Sequence, residues 1–120
     1  MQRKLHEMME AVRDRIDPNQ VGMIACHNGI VRGTSRAGKP VEYLEVAKDS
    51  QAWDEILTTL RLRPGIAAVE AYLYTGRREI GEDVLLVVVA GDIREHVFAT
   101  LEEAVDQFKG RAVLKKEKLR

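Results

Sequence analysis

Leu5, Met8, Met9, Val12 and Ile16 recur at the three- and four-residue intervals of one helical face, and Asp17, Pro18 and Asn19 end that helix. Residues 21–31 are mostly apolar or small and lack a helical period. They read as a strand that runs into a mobile polar loop over 32–40, rich in Gly, Arg and Lys. A second strand is expected at 41–47. Ser50 is placed to cap a helix whose Trp53, Ile56, Leu57 and Leu60 share one face, and Pro64 and Gly65 stop it. Residues 66–74 read as a strand, 76–83 as a charged turn, and 84–89 as an unbroken branched-aliphatic run suited to a central strand. The two strands flanking that turn are expected to pair as a hairpin.

The last helix is the best marked. Asp92 and Glu95 have capping-box spacing, Val97, Leu101, Ala104, Val105 and Phe108 form a buried stripe, and Gly110 sits where a C-cap is expected. Its limits fall near Asp92 and Lys109, after which Ala112, Val113 and Leu114 read as a short strand before a basic end. Helix and strand blocks interleaved in this way predict an α+β fold, a two-layer α/β sandwich with a mostly antiparallel sheet. No repeat or linker divides the chain, so a single domain over 1–120 is expected.

Composition narrows the function classes. The 19 basic and 19 acidic residues of the 120 cancel, which removes any overall field drawing the chain onto nucleic acid or an anionic membrane. The basic loop and tail lack a neighbouring aromatic stacking pair, a further argument against nucleic-acid binding. No signal-peptide pattern opens the sequence, and the longest apolar run, 84–90, is too short to span a bilayer. Cys26 is the only cysteine, so no intrachain disulfide forms and a reducing cytoplasm fits. In an apolar strand it reads as a small buried hydrophobe. His6, His27 and His96 lack metal-ligand spacing, so neither a metal nor another cofactor is expected. Trp53 reads as core.

What remains is a set of cations at the ends of elements: Arg32 after the first strand, Arg94 at the start of the last helix, Lys109 at its end, and Lys115 and Lys116 beyond. Positive charge gathered at such points suits an anionic ligand. Lys109 near a helix C-terminus also complements the macrodipole whatever its function, whereas Arg94 in a first turn is disfavoured by it and is the harder to explain structurally. Arg94 and Lys109 are separated by about 22 Å of helix at 1.5 Å per residue. One small ligand does not reach both within a chain. A symmetric homodimer, in which Arg94 of one copy completes the pocket holding Lys109 of the other, removes the difficulty.

The strand closing in Gly29, Ile30, Val31 and Arg32, the helix with Arg94 at its start and Lys109 at its end, and the terminal Lys115, Lys116 and Glu117 together resemble the large, catalytic subunit of molybdopterin synthase. The resemblance covers about 22–117 and implies an alpha/beta-hammerhead-like fold and a role in molybdenum cofactor biosynthesis. Members of that family take sulfur from the thiocarboxylated C-terminal glycine of a small ubiquitin-like carrier subunit ending in Gly-Gly. They add it to cyclic pyranopterin monophosphate to form the molybdopterin dithiolene. The resemblance implies that Lys109 and Lys116 are catalytic and that Arg32, Arg94, Val31, Ile93, Lys115 and Glu117 bind substrate. An ungapped match selects Lys116 as the second lysine, and removing one residue selects Lys115. The chain departs from the pattern at Ile93, where the family usually has histidine, at His27, where an aromatic is common, and at 113–116, where a Pro-x-Trp-Lys is usual. These departures keep a second reading in view, a non-catalytic paralogue serving as a dimeric interaction or ligand-binding module.

Overall fold

Residues 84–90 are buried without a break because their strand is covered on both faces. In the computed structural model, which describes residues 3–120, they belong to β5 (Asp83–Gly91), the middle strand of a three-stranded antiparallel sheet between β1 (Met23–Ile30) and β3 (Ile66–Leu73). Leu85, Val87 and Val89 join the main core, which is roofed by α2 (Ser50–Arg61) and α3 (Arg94–Gln107). Val88 and Ala90 face the other way, onto Leu5, Met8, Met9, Val12 and Ile16 of α1 (Arg3–Arg15). Met1 and Gln2, the beginning of the stretch read for a signal peptide, lie outside the described residues.

A second three-stranded antiparallel sheet has β2 (Val41–Lys48) between β4 (Gly76–Glu79) and β6 (Val113–Leu119). Its Leu44, Val46 and Val113 enter the main core beside Trp53 and Phe108. Three expectations are corrected here. Residues 76–79 are a strand rather than part of a turn: Arg77 lies opposite Glu45, its guanidinium stacks 3.8 Å from the Tyr43 ring centroid across the pair, and its Nε donates to Glu79 on its own strand at 2.6 Å. The reversal is confined to Ile80 and Gly81, where Gly81 takes φ +87. The basic tail is not free but paired along β2 as far as Leu119. The loop over 32–40 is a hydrogen-bonded hairpin, closed by Ser35 N to Lys39 O at 2.8 Å and Val41 N to Gly33 O at 3.0 Å. As expected, β3 and β5 pair antiparallel, with β4 leaving their connection to join the second sheet.

Helix ends also depart from the sequence pattern. Asp49, not Ser50, caps α2, its Oδ1 accepting from Ala52 N at 3.1 Å. At α3 no capping box forms. The N-cap is Ile93, and Asp92 instead accepts from Ile93 N and from His96 Nδ1, both at 2.7 Å. Gly110 is not a left-handed cap, since α3 passes into a π-helical turn, Phe108–Ala112, in which Val113 N donates to Phe108 O. Phe108 is fully buried, with its ring centroid 4.4 Å from that of Trp53.

Phe108→Ala removes the ring on which this turn is seated and is expected to cost about 3–5 kcal/mol. Urea unfolding midpoints check it. The Asp92 carboxyl is held below its ordinary value first by the His96 hydrogen bond and then by the Ile93 N–H, against a desolvation that acts the other way. A depressed carboxylate stabilises above its unfolded pKa and loses that contribution as pH falls through the folded one. Thermal melts between pH 6 and pH 2 therefore fall less steeply at the acid end for Asp92→Asn than for the parent.

Candidate active site

Side chains alternate along β1, and Met23, Ala25 and His27 face the helix layer while Ile24 and Cys26 face α1. The helix α3 lies over β1, running from the β1 start, where Gly22 N donates to Gly91 O at 2.9 Å, toward its end. This brings the π-helical turn near His27. The turn is fixed from below by Phe108 and by Asp49 N donating to Ala112 O at 2.8 Å, and from the side by Arg111 to Glu55 at 3.0 Å. Lys109 is thereby carried on its outer side, where a Cβ on the neighbouring Gly110 would meet nothing.

Five titratable groups are linked here through Lys109. Partial desolvation lowers the Lys109 pKa, the charges of Lys115 and Arg36 lower it further, and Asp106 opposes them. His27 is lowered as well, first by burial and then by Lys109. Cations so placed destabilise one another until an anion arrives, and a lysine with a depressed pKa is a better proton donor near neutrality than a solvated one.

The register of β6 separates the two candidate lysines. Lys115 lies opposite Val46 and Glu117 opposite Leu44, so both project from the core-facing side of the sheet, toward Lys109 in the case of Lys115. Lys116 lies opposite Glu45 on the other side. A depression of about 260 Å³ opens between β2 and β6, lined by Glu45, Val46, Ala47, Leu114, Lys115 and Lys116.

The remaining predicted residues are dispersed. Val31 is buried at 4% exposure with its N–H bonded to Glu82 O and its carbonyl to Gly81 N, so it anchors the strand end and offers no free contact. Arg32 is exposed and its Nε donates to Thr34 O at 2.9 Å, tying it to the hairpin. Arg94, 78% exposed, stands at the far end of α3 beside Glu95, about 22 Å of helix from Lys109. Ile93 next to it is half exposed. Arg36 and His27 were not singled out as site residues from sequence. Arg36 carries no local signal, whereas the two-residue period of β1 does put His27 on the side of Ala25.

A larger cavity, about 620 Å³, lies elsewhere, between α1 and the start of β1 along Met9, Arg13, Ile16 and Val21. It opens on the sheet face opposite α3, and Cys26 is on that face with its thiol pKa raised by burial. Among the described residues no cluster of His, Cys, Asp and Glu could hold a metal ion, and no helix is long and apolar enough to cross a membrane.

A family model described as MoaE protein matches residues 2–111. Among solved structures, the molybdopterin cofactor biosynthesis protein E of Burkholderia multivorans is 28% identical with a TM-score of 0.76, over 97% of this chain and 81% of that one. The MoaE protein of Burkholderia ambifaria is 25% identical with a TM-score of 0.77, over 96% and 80%. A complex of subunits 1 and 2 of the molybdopterin-converting factor of Helicobacter pylori is 18% identical with a TM-score of 0.72, over 96% and 78%, a likeness of fold. The comparison with curated proteins gives no match. With the family model reaching from residue 2 to residue 111, just before β6 begins, and the same fold recurring across these structures, the chain belongs to the MoaE family, the large subunits of molybdopterin synthase, and to molybdenum cofactor biosynthesis.

Proposed function

We propose that this protein transfers sulfur from the thiocarboxylated C-terminus of a small ubiquitin-like carrier to cyclic pyranopterin monophosphate, with Lys109 at the reacting centre. The observation that carries the reading is the depressed, partly desolvated Lys109 facing Lys115 and Arg36 in a chain of zero net charge. Attack on an acyl-thio carbon builds negative charge, and the pterin brings a phosphate. Fixed cations stabilise both, more so in a partly dehydrated site. Lys109 is also suited to giving a proton to the pterin-bound sulfur as water attacks the acyl-thio carbon, the carbon–sulfur bond breaks and the carrier departs as its carboxylate. Lys115 is the second lysine in this reading, because it shares a sheet face with the reacting side while Lys116 projects opposite Glu45. A Helicobacter pylori relative is described as a complex of subunits 1 and 2, which favours a carrier subunit here whose Gly-Gly tail reaches Lys109 along the β2 and β6 depression.

The active form is a homodimer. Arg94, Phe98, Leu101, Val105 and Lys109 follow at i, i+4, i+7, i+11 and i+15, one stripe beside the buried face of α3. Phe98 is 56% exposed on it, and Leu101 and Val105 are only partly buried. Two α3 helices paired antiparallel about a twofold axis near Leu101 cover this stripe and set Arg94 of each copy beside Lys109 of the other. The pterin phosphate then lies between them, with Arg32 and Ile93 at its margin. The reaction stays within the cytoplasm.

Dithiolene formation from a thiocarboxylated carrier and pyranopterin substrate tests the reading. Lys109→Ala is expected to lose about 100- to 1,000-fold in turnover. Lys115→Ala loses at least about tenfold, and Lys116→Ala stays within about threefold. Absence of product from the parent protein with a competent carrier would leave the non-catalytic module. Mixing and refolding Arg94→Ala with Lys109→Ala chains restores roughly a quarter of parental activity, because half the dimers are mixed and each has one intact site. No restoration would show that the two residues act within one chain.

A further inference from the structure

His27 has no part in the chemistry above, yet its surroundings are unusual. Its Nε2 is closed off from solvent and has no hydrogen-bond partner among the described residues. Gly29 makes room for the ring: a Cβ there would stand 3.0 Å from Nε2. The ring faces the helix layer, opposite Val87 in register, at the end of α3 that carries Lys109. An imidazole nitrogen in such a place retains a lone pair whenever the proton is on Nδ1. Burial and the nearby Lys109 charge both favour that neutral form.

Lys109 has the complementary deficiency. Its ammonium offers three donors and faces Lys115 from β6, Arg36 from the hairpin and His27 from β1, with Asp106 of α3 as the only opposing charge. Everything but Asp106 drives it toward the neutral amine. An anion-binding role, on which this inference rests through the proposed function, needs it charged.

We propose that His27 is a positioning residue for Lys109, its Nε2 accepting a hydrogen bond from the lysine ammonium and so holding that side chain charged and aimed at the reacting centre. The contact is not made in this structure and requires another Lys109 rotamer, which a long flexible stem allows. At pH low enough to protonate His27 the acceptor is lost and two cations repel, so the support fails on the acid side.

The test reads Lys109 ionisation directly, through the pH dependence of its acylation by acetic anhydride, followed peptide by peptide in a mass spectrometer. In His27→Phe the midpoint is expected to move down by about half a pH unit, since only the acceptor is lost. In His27→Gln, whose Oε1 accepts, it returns most of the way. Equal midpoints in all three proteins would overturn the proposal. Should the phenylalanine variant fold poorly, the His27 ring proton titration by NMR in Lys109→Gln provides a second measure: its pKa rises when the lysine is removed, and an unchanged value counts against the contact. In the dithiolene assay His27→Phe lowers kcat with little change in KM and shifts the basic limb to lower pH. Labelling requires no substrate, so failure of turnover in the parent would reject the functional reading while leaving this one to stand or fall alone.

Discussion

Within five residues the chain passes from helix to strand, and the packing of Phe108 against Trp53 makes that passage rigid. A helix ending in a left-handed glycine would turn away from its own axis. The wider turn with Val113 N on Phe108 O lets the backbone drop directly into β6, so the end of α3 and the second sheet are fixed relative to each other. Asp49 N on Ala112 O ties α2 to the same point. The core therefore reaches to within one residue of Lys109, and the position of that ammonium is inherited from the packing of Phe108 on one side and Ala112 on the other, both fully buried.

Electrostatics follows from this placement. A chain with equal numbers of acids and bases has nothing to hold a distant anion, and some of its surface charges are paired, as in Arg61 and Arg15 on Glu70 or Arg111 on Glu55. Lys109, Lys115 and Arg36 come from three separate segments and meet without a carboxylate between them, Asp106 excepted. Exposed pairs contribute little to stability. The three cations form a local excess of positive potential in a neutral chain, and Lys115 among them lines the shallow depression between β2 and β6.

Amphipathic stripes were legible because burial repeats at the helical period: α1 and α2 bury the residues that their spacing selects. The central strand was legible for its β-branched run. Asp92 and Glu95 misled because a side chain that matches the capping-box spacing has other bonds available, and Asp92 takes His96 and Ile93 N in place of the first turn. The segment 76–79 was hidden because its charges pair locally, Arg77 with Glu79 and Arg78 with Glu82, as they would in a turn, whereas the β2 residues that make it a strand, such as Tyr43 and Glu45, are remote in sequence. For the same reason Arg36 was invisible: what makes it part of the cation cluster is a lysine more than seventy positions away.

The choice between Lys115 and Lys116 shows what pairing adds to spacing. Read as a string, the two lysines differ by one step, and either can be matched by moving a gap. In a strand one step is the difference between opposite faces. Val113 is committed to the core at 7% exposure, which fixes the parity of everything after it: 115 and 117 on its side, 116 and 118 on the other. Burial of Val113 and its pairing with Lys48 thus decide which ammonium Lys109 senses, although neither residue touches the site. A single apolar side chain, through strand parity, puts Lys115 and not Lys116 on the Lys109 side of the sheet, a distinction that alignment leaves open.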